Sequence, residues 1–148
     1  MTTPPNAPQT HIAGEMFVAA ELAKRGYLVA LTMGNAKAVD LFVERDGRTI
    51  CVQVKAVSRR RHAGWPLPFD TTKIKPKSNL FGSDIGWVCV VLNEIDEPPT
   101  YFVFTPKDVL KLGDWYSTRA ILNVSKAKAH EGCWNLIEEG FSRAPRIT

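Results

Sequence analysis

Two strand-like segments between residues 38 and 57 carry polar side chains whose chemistry is unusual for a simple hairpin. The stretch AVDLFVERDGRTICVQVKAV alternates apolar and other residues around an Asp-Gly pair, which is typical of a β-hairpin. Asp40 lies in its first half, and Gln53 and Lys55 lie in its second half. A carboxylate and an amide can bind a divalent cation, and an amine beside them can bind a phosphate.

The turn of this hairpin predicts which residues face each other. Asp46-Gly47 is a preferred pair for a two-residue type I′ turn, which places Arg45 opposite Arg48. Facing residues then have numbers that sum to 93. One face is predicted to be wholly apolar: Val39, Leu41, Val43, Ile50, Val52 and Val54. The opposite face carries Asp40 across from Gln53, with Lys55 two residues further along.

This cluster predicts metal-assisted hydrolysis of a phosphodiester. Mg²⁺ favours oxygen ligands, and a divalent ion makes water easier to deprotonate. An amine such as that of Lys55 can orient the water or accept its proton, and its charge stabilises the reacting phosphate. The alternative is a solvated hairpin face. Phe42 and Cys51 share that face, which indicates that it is covered.

A helix precedes the hairpin and carries a further carboxylate. Thr10 is predicted to cap a helix that begins near Ile12 and ends at residues 25–27. Its predicted apolar stripe is Ile12, Met16, Ala19, Ala20 and Ala23. Glu15 falls beside this stripe, so its carboxylate is expected at the buried edge, where it needs a partner or a metal.

The remaining elements predict an α/β fold with a mixed central sheet flanked by helices. Further strands are expected at 27–32, 85–92 and 100–105, a short helix from Pro106, and a strand and a helical turn near 120 and 135. We expect a disordered lead at residues 1–10 and a single domain over 11–148.

At these residues the sequence resembles the PD-(D/E)xK nuclease superfamily. The match runs from GEMFVAAELAKRGYLVA through AVDLFVERDGRTICVQVKA. The resemblance implies a restriction-endonuclease-like αβββαβ core and hydrolysis of nucleic acid with Mg²⁺ or Mn²⁺. It implies that Glu15 is the helical metal-binding carboxylate, Asp40 the central metal ligand and Lys55 the catalytic lysine. The backbone carbonyl of Val54 commonly completes the metal shell in that family.

Two residues depart from the usual motif of the superfamily. Val39 replaces the proline, which is of little chemical consequence. Gln53 stands where an acid is usual, so one negative charge is missing, although its amide oxygen can still bind metal. This QxK variant is similar to that of a branch containing an intron-encoded homing endonuclease and small bacterial relatives. Gln53 is therefore expected to be a catalytic-site metal ligand, and a degenerate site is the alternative.

The positive charge of the chain is concentrated after the hairpin. The 148 residues carry a net charge of +4, whereas residues 55–77 contain seven basic residues and one acidic residue. We expect nucleic-acid contacts from the residues Arg59, Arg60, Arg61, Lys73, Lys75 and Lys77. Trp65 or Phe69 is expected to stack on or wedge a base. A solvated loop with one aromatic anchor is the alternative.

Three functional hypotheses follow, and all three involve DNA or a partner protein. The first is a Mg²⁺-dependent DNA endonuclease, and the second a structure-selective resolvase of the Holliday-junction type. The third is an inactive DNA-binding or interaction domain with the same fold. Cleavage of both strands requires two sites, so a homodimer or higher homo-oligomer is expected. The longest apolar runs are too short for a membrane span and no signal peptide is evident, so the cytoplasm is the expected location.

Overall fold

The computed structural model describes residues 3–32, 39–59, 63–74 and 85–146, and its first element is a long helix, α1 (Ala7–Lys24). Asn6 caps this helix through a reciprocal pair of hydrogen bonds. Its side chain accepts from the Gln9 N–H at 2.9 Å, and the Gln9 side chain accepts from the Asn6 N–H at 3.0 Å. The predicted cap at Thr10 is therefore wrong, because this capping box starts the helix three residues before Thr10.

The face of α1 that packs against the sheet also differs from the predicted stripe. Ile12 and Met16 are 57% and 52% exposed, whereas the buried side of the helix consists of Thr10, Gly14, Glu15, Val18, Ala19 and Leu22. The reason is close packing at Gly14, where an added Cβ would lie 2.3 Å from the Cβ of Ala56. The helix presents its smallest residue to the sheet, and this rotation carries Glu15 inward.

The main sheet has five strands, and a smaller sheet has three. In chain order the strands are β1 (Leu28–Leu31), β2 (Leu41–Arg45), β3 (Arg48–Ser58), β4 (Gly64–Leu67), β5 (Ile85–Leu92), β6 (Thr100–Phe104), β7 (Asp114–Trp115) and β8 (Ala120–Asn123). The main sheet has the order β1-β2-β3-β5-β6, with β3 and β5 parallel and the other neighbours antiparallel. The predicted mixed sheet is confirmed.

The β2-β3 hairpin has the predicted turn and register. Asp46 and Gly47 both have positive φ, of 55° and 75°, as a type I′ turn requires. Arg45 pairs with Arg48, and the ladder continues in the same register to the pair Leu41 and Val52. This part of the register, from which the apolar face was derived, is confirmed.

Two cores lie on the two faces of the main sheet. The first core, on the side of α1, contains Val18, Leu22, Leu41, Val43, Ile50, Val52, Val54, Ile137 and Phe141. The second core contains Val39, Cys51, Val57, Trp65, Trp87, Cys89, Phe104, Val109 and Leu122. Val39 was predicted on the same face as Leu41, and that prediction is wrong. The chain changes direction between these residues, where β2 begins.

Part of the segment after β3 forms a strand, β4, that the sequence did not predict. The smaller sheet has the order β4-β8-β7, so part of the predicted basic loop pairs with a strand more than fifty residues away. Two further helices are α2 (Pro106–Leu112) and α3 (Asn135–Arg143), near the predicted positions. Within the described ranges, none of the helices combines the length and the hydropathy that crossing a bilayer requires.

The contact of Gly14 with β3 generates a stability prediction. Gly14→Ala should lower the free energy of unfolding by about 1–3 kcal/mol in spite of its better helix propensity, because α1 must move off the sheet. Gly140→Ala in α3 is the matched control, since its added Cβ would lie 3.8 Å from Ile50. The control should be neutral or stabilise by up to about 1 kcal/mol. Equal effects in urea unfolding would contradict this account of how α1 is placed.

Candidate functional site

Asp40 lies where β2 and β3 separate. Continuing the hairpin register would pair Val54 with Val39, but Val39 packs into the second core. The Val54 N–H therefore has no partner on the backbone of Val39. It donates instead to Oδ2 of the Asp40 side chain, at 2.8 Å. Asp40 is only 2% exposed. A buried carboxylate therefore lies against the backbone between Gln53 and Lys55.

The backbone of Asp40 is held by neighbouring strands. Its N–H donates to the Val52 carbonyl at 3.2 Å. Its carbonyl accepts from the Thr32 N–H at 3.0 Å and from the Thr32 hydroxyl at 3.1 Å. Thr32 directly follows β1. These three bonds fix the position from which the carboxylate projects.

Glu15 approaches the same point from α1. It is 6% exposed, and its Oε1 lies 2.9 Å from Nε2 of His11, one helical turn earlier. Single donor atoms of His11, Glu15 and Asp40 all lie within 4.8 Å of one another. The predicted burial of Glu15 is confirmed, although it results from the face containing Gly14 and not from the predicted stripe.

Gln53 and Lys55 lie on β3, on either side of the residue whose N–H binds Asp40. Both are half-buried and flank Val54, with Cα partners Trp87 and Cys89 on β5. The side chain of Val54 belongs to the first core, so by strand alternation its two neighbours face the opposite side of the sheet from α1. The peptide nitrogen that Asp40 contacts is bonded to the carbonyl carbon of Gln53. The side chains of Gln53 and Lys55 therefore project from the opposite face of the sheet from the α1 side, where Glu15 lies.

The charge of Lys55 is not offset by a thiolate at Cys89. Burial raises the pKa of the Cys89 thiol, and the nearby Lys55 ammonium lowers it by less. The thiol is consequently neutral at physiological pH. Lys55 contributes a positive charge beside the separated strands.

The basic segment is only partly described. Arg59, at the end of β3, and Lys73 are exposed, whereas Arg60, Arg61, Lys75 and Lys77 lie outside the described residues. The prediction that Trp65 contacts a base is wrong. Trp65 has 0% exposure, its indole N–H donates to the Val90 carbonyl at 2.9 Å, and its ring packs edge-on against Phe102. Phe69 is 55% exposed and remains the aromatic candidate.

Sequence reasoning missed His11. The signal was the spacing of four residues between His11 and Glu15, which places both side chains on one helix face. The predicted cap at Thr10 places His11 at the helix start, where its side chain would not be aligned with that of Glu15. With α1 beginning at Ala7, His11 lies well inside the helix.

The donor set of this site suits a divalent cation. Two carboxylates with little exposure lie close together, and like charges in such a place repel each other unless a cation compensates them. Carboxylate oxygens are ligands for Mg²⁺ and Mn²⁺, and an imidazole nitrogen is a ligand for transition ions. Among the described residues, the donor atoms of Glu15, Asp40 and His11 fit a divalent metal. Gln53 directly precedes Val54 in the sequence and carries a further amide oxygen.

The arrangement of α1 on a mixed sheet, with an acid where β2 leaves β3, defines a restriction-endonuclease-like fold. The chain is similar to the bacterial homing endonuclease I-Ssp6803I, with a TM-score of 0.59 and 16% identity over 95% of this chain and 97% of that chain. It is also similar to Hjc, a Holliday junction resolvase from Archaeoglobus fulgidus, with a TM-score of 0.57 and 12% identity over 86% of this chain and 98% of that one.

These two likenesses confirm the predicted fold class, a restriction-endonuclease-like α/β fold with a mixed central sheet. No protein-family model and no curated protein matches the chain. At 16% and 12% identity the likeness establishes the fold alone.

The structural part played by Asp40 can be separated from its charge. Asp40→Ala leaves the buried Val54 N–H without its acceptor, which should lower the free energy of unfolding by about 1–3 kcal/mol relative to Asp40→Asn. Asn keeps an oxygen at that position and removes only the charge. Urea unfolding of the two variants checks this difference. Equal stability of the two variants would show that the Asp40–Val54 hydrogen bond does not hold the strands in place.

Proposed function

We propose that this protein is a Mg²⁺- or Mn²⁺-dependent DNA endonuclease that hydrolyses phosphodiester bonds at the site around Asp40. The observation that carries the proposal is the convergence of the Glu15 and Asp40 carboxylates within 4.8 Å, at the point where β2 leaves β3. Lys55 lies two residues beyond Gln53 on the adjoining strand. Two carboxylates that can hold a divalent ion, with a lysine on the adjoining strand, suit phosphodiester hydrolysis.

The residues of the site divide into metal ligands and a positive group. Glu15, Asp40, the Gln53 amide oxygen and the Val54 carbonyl are the proposed ligands. A bound divalent ion would supply Lewis acidity and positive charge at the reacting phosphate. The buried position of Asp40 and its bond to the Val54 N–H keep its carboxylate oriented without help from solvent.

Lys55 is the proposed catalytic lysine. Its amine lies on β3 with a neutral thiol, Cys89, as its neighbour on β5, so its charge is available to a substrate phosphate. It would orient the attacking water and stabilise charge that develops on the phosphate oxygens. Gln53 in place of an acid reduces the negative charge near Lys55, which should weaken metal binding and leave the substrate less strongly repelled.

DNA would contact the protein through the basic segment. Arg59 is exposed directly after the catalytic strand, and Lys73 is exposed at the end of a short 3-10 turn. Both are proposed to neutralise phosphates, together with Arg60, Arg61, Lys75 and Lys77. A substrate of this kind agrees with the cytoplasmic location expected from the sequence. Cutting of both strands would require a homodimer or a higher homo-oligomer.

A second candidate is a structure-selective resolvase. The similarity to Hjc over 86% of this chain supports it as much as the homing-endonuclease likeness supports the first. The two candidates share the chemistry of the site and differ in the DNA structure that is bound. The substrate preference therefore decides between them.

The test is cleavage of supercoiled, linear and four-way-junction DNA with Mg²⁺, with Mn²⁺ and with EDTA. Wild type should cut only with metal, and preference for the junction would favour the resolvase. Lys55→Ala should slow cleavage by about 100-fold or more without loss of folding. Lys107→Ala, at an exposed position of α2, is the matched control and should cut at the wild-type rate.

Two outcomes would contradict the proposal. Equal cleavage by wild type and Lys55→Ala would show that the activity is a contaminant or belongs to another site. Salt-sensitive DNA binding without any metal-dependent product would identify an inactive DNA-binding domain instead.

A further inference from the structure

His11 is placed on α1 so that its imidazole reaches the two buried carboxylates. Its side chain is 50% exposed, whereas that of Glu15 is 8% exposed, and Nε2 lies 2.9 Å from Oε1 of Glu15. His11 therefore lies at the opening of the site, between the carboxylates and solvent. Its position within an 18-residue helix makes the backbone that carries it rigid.

The distances among these donors are slightly larger than those of ligands that share one ion. Donor atoms of His11, Glu15 and Asp40 lie within 4.8 Å of one another. Ligands of a single ion with bonds of about 2.1 Å lie about 3 to 4 Å apart. For the imidazole to bind the same ion as the carboxylates, these donor atoms must move slightly closer together.

A nitrogen donor changes which ion such a site prefers. Sites made of carboxylates, carbonyls and water suit Mg²⁺ and Mn²⁺, whereas imidazole suits the later transition ions, and the affinity of a given site for first-row ions rises from Mn²⁺ to Co²⁺. At the same time Gln53 replaces an acid, which weakens the electrostatic attraction that Mg²⁺ depends on. The two features act in the same direction.

We propose that His11 is a protein ligand of this metal site and makes it prefer Co²⁺, and to a smaller degree Mn²⁺, over Mg²⁺. The inference rests on the metal site of the proposed function, but not on cleavage of DNA. A role limited to positioning Glu15 by a hydrogen bond is the competing explanation. That role affects all divalent ions alike, because it changes only a carboxylate that each of them uses.

The experiment measures metal binding directly, by calorimetry with Mn²⁺, Co²⁺ or Mg²⁺ on tag-free protein. His11→Gln is the informative variant, because its amide N–H can still donate to Glu15 while the imidazole nitrogen is lost. We expect it to weaken Mn²⁺ and Co²⁺ binding by about 10- to 100-fold, with less than about a threefold effect on Mg²⁺. Ile12→Gln places the same side chain at a neighbouring exposed position and should leave all three affinities unchanged.

A spectroscopic readout identifies the ligand itself. Pulsed electron paramagnetic resonance of the Mn²⁺ complex should show modulation from an imidazole nitrogen in wild type and in Ile12→Gln. The same signal should be missing in His11→Gln. This measurement does not require an active enzyme.

Three results would overturn the inference. They are equal losses of Mg²⁺ and Mn²⁺ affinity in His11→Gln, a wild-type Mn²⁺ complex without the nitrogen signal, and a wild-type protein that binds none of the three ions. The outcome is separable from that of the proposed function. If Mn²⁺ binding depends on His11 but DNA is not cleaved, the inference stands and the endonuclease proposal is rejected. If DNA is cleaved but His11→Gln has the same metal preference as wild type, the endonuclease proposal stands and the inference is rejected.

Discussion

The hydrogen bond from the Val54 N–H to the Asp40 carboxylate is the interaction on which the site depends. It ends the β2-β3 ladder without leaving the Val54 N–H unpaired, and it allows Val39 to turn into the second core. The two strands separate after the pair Leu41 and Val52, and Gln53 and Lys55 are the next residues on β3 beyond that pair that share one face. The Val54 N–H needs a hydrogen-bond acceptor, and a metal site needs a carboxylate. The side chain of Asp40 meets both needs.

The second constraint is the close approach of α1 to β3. Gly14 permits it, and the adjacent Glu15 is thereby buried near Asp40. Two neighbouring buried carboxylates destabilise a fold unless a cation or hydrogen-bond donors compensate them. The Val54 N–H and the His11 imidazole supply part of that compensation. Such local conflicts between stability and charge are typical of functional sites.

The parts of the structure that the sequence predicted are those fixed by short-range rules. The type I′ turn at Asp46-Gly47 sets the hairpin register, which holds from Arg45 and Arg48 to Leu41 and Val52. The predicted facing pair of Asp40 and Gln53 lies beyond that ladder. The register failed at Val39, because the side chain of Asp40 takes over a bond that the backbone was expected to make. Periodicity alone does not reveal that substitution.

The features that the sequence did not predict depend on packing between distant segments. The buried face of α1 was misassigned because Ile12 and Met16 are more apolar than Gly14, although the small residue decides the packing. Trp65 was assigned to DNA because β4 was not recognised, since its partner β8 lies more than fifty residues away. His11 was missed because its role follows from where the helix starts.

The central claim is that the buried acid pair binds a metal ion that cleavage requires. The most direct test measures the single-turnover rate of plasmid nicking at a series of Mg²⁺ concentrations, in wild type and in Asp40→Asn. Asn keeps the acceptor for Val54, so the variant stays folded while the charge is lost. The account predicts a saturable Mg²⁺ dependence in wild type and a rate lower by about 100-fold or more in the variant at every concentration. Equal rates in the two proteins would contradict it.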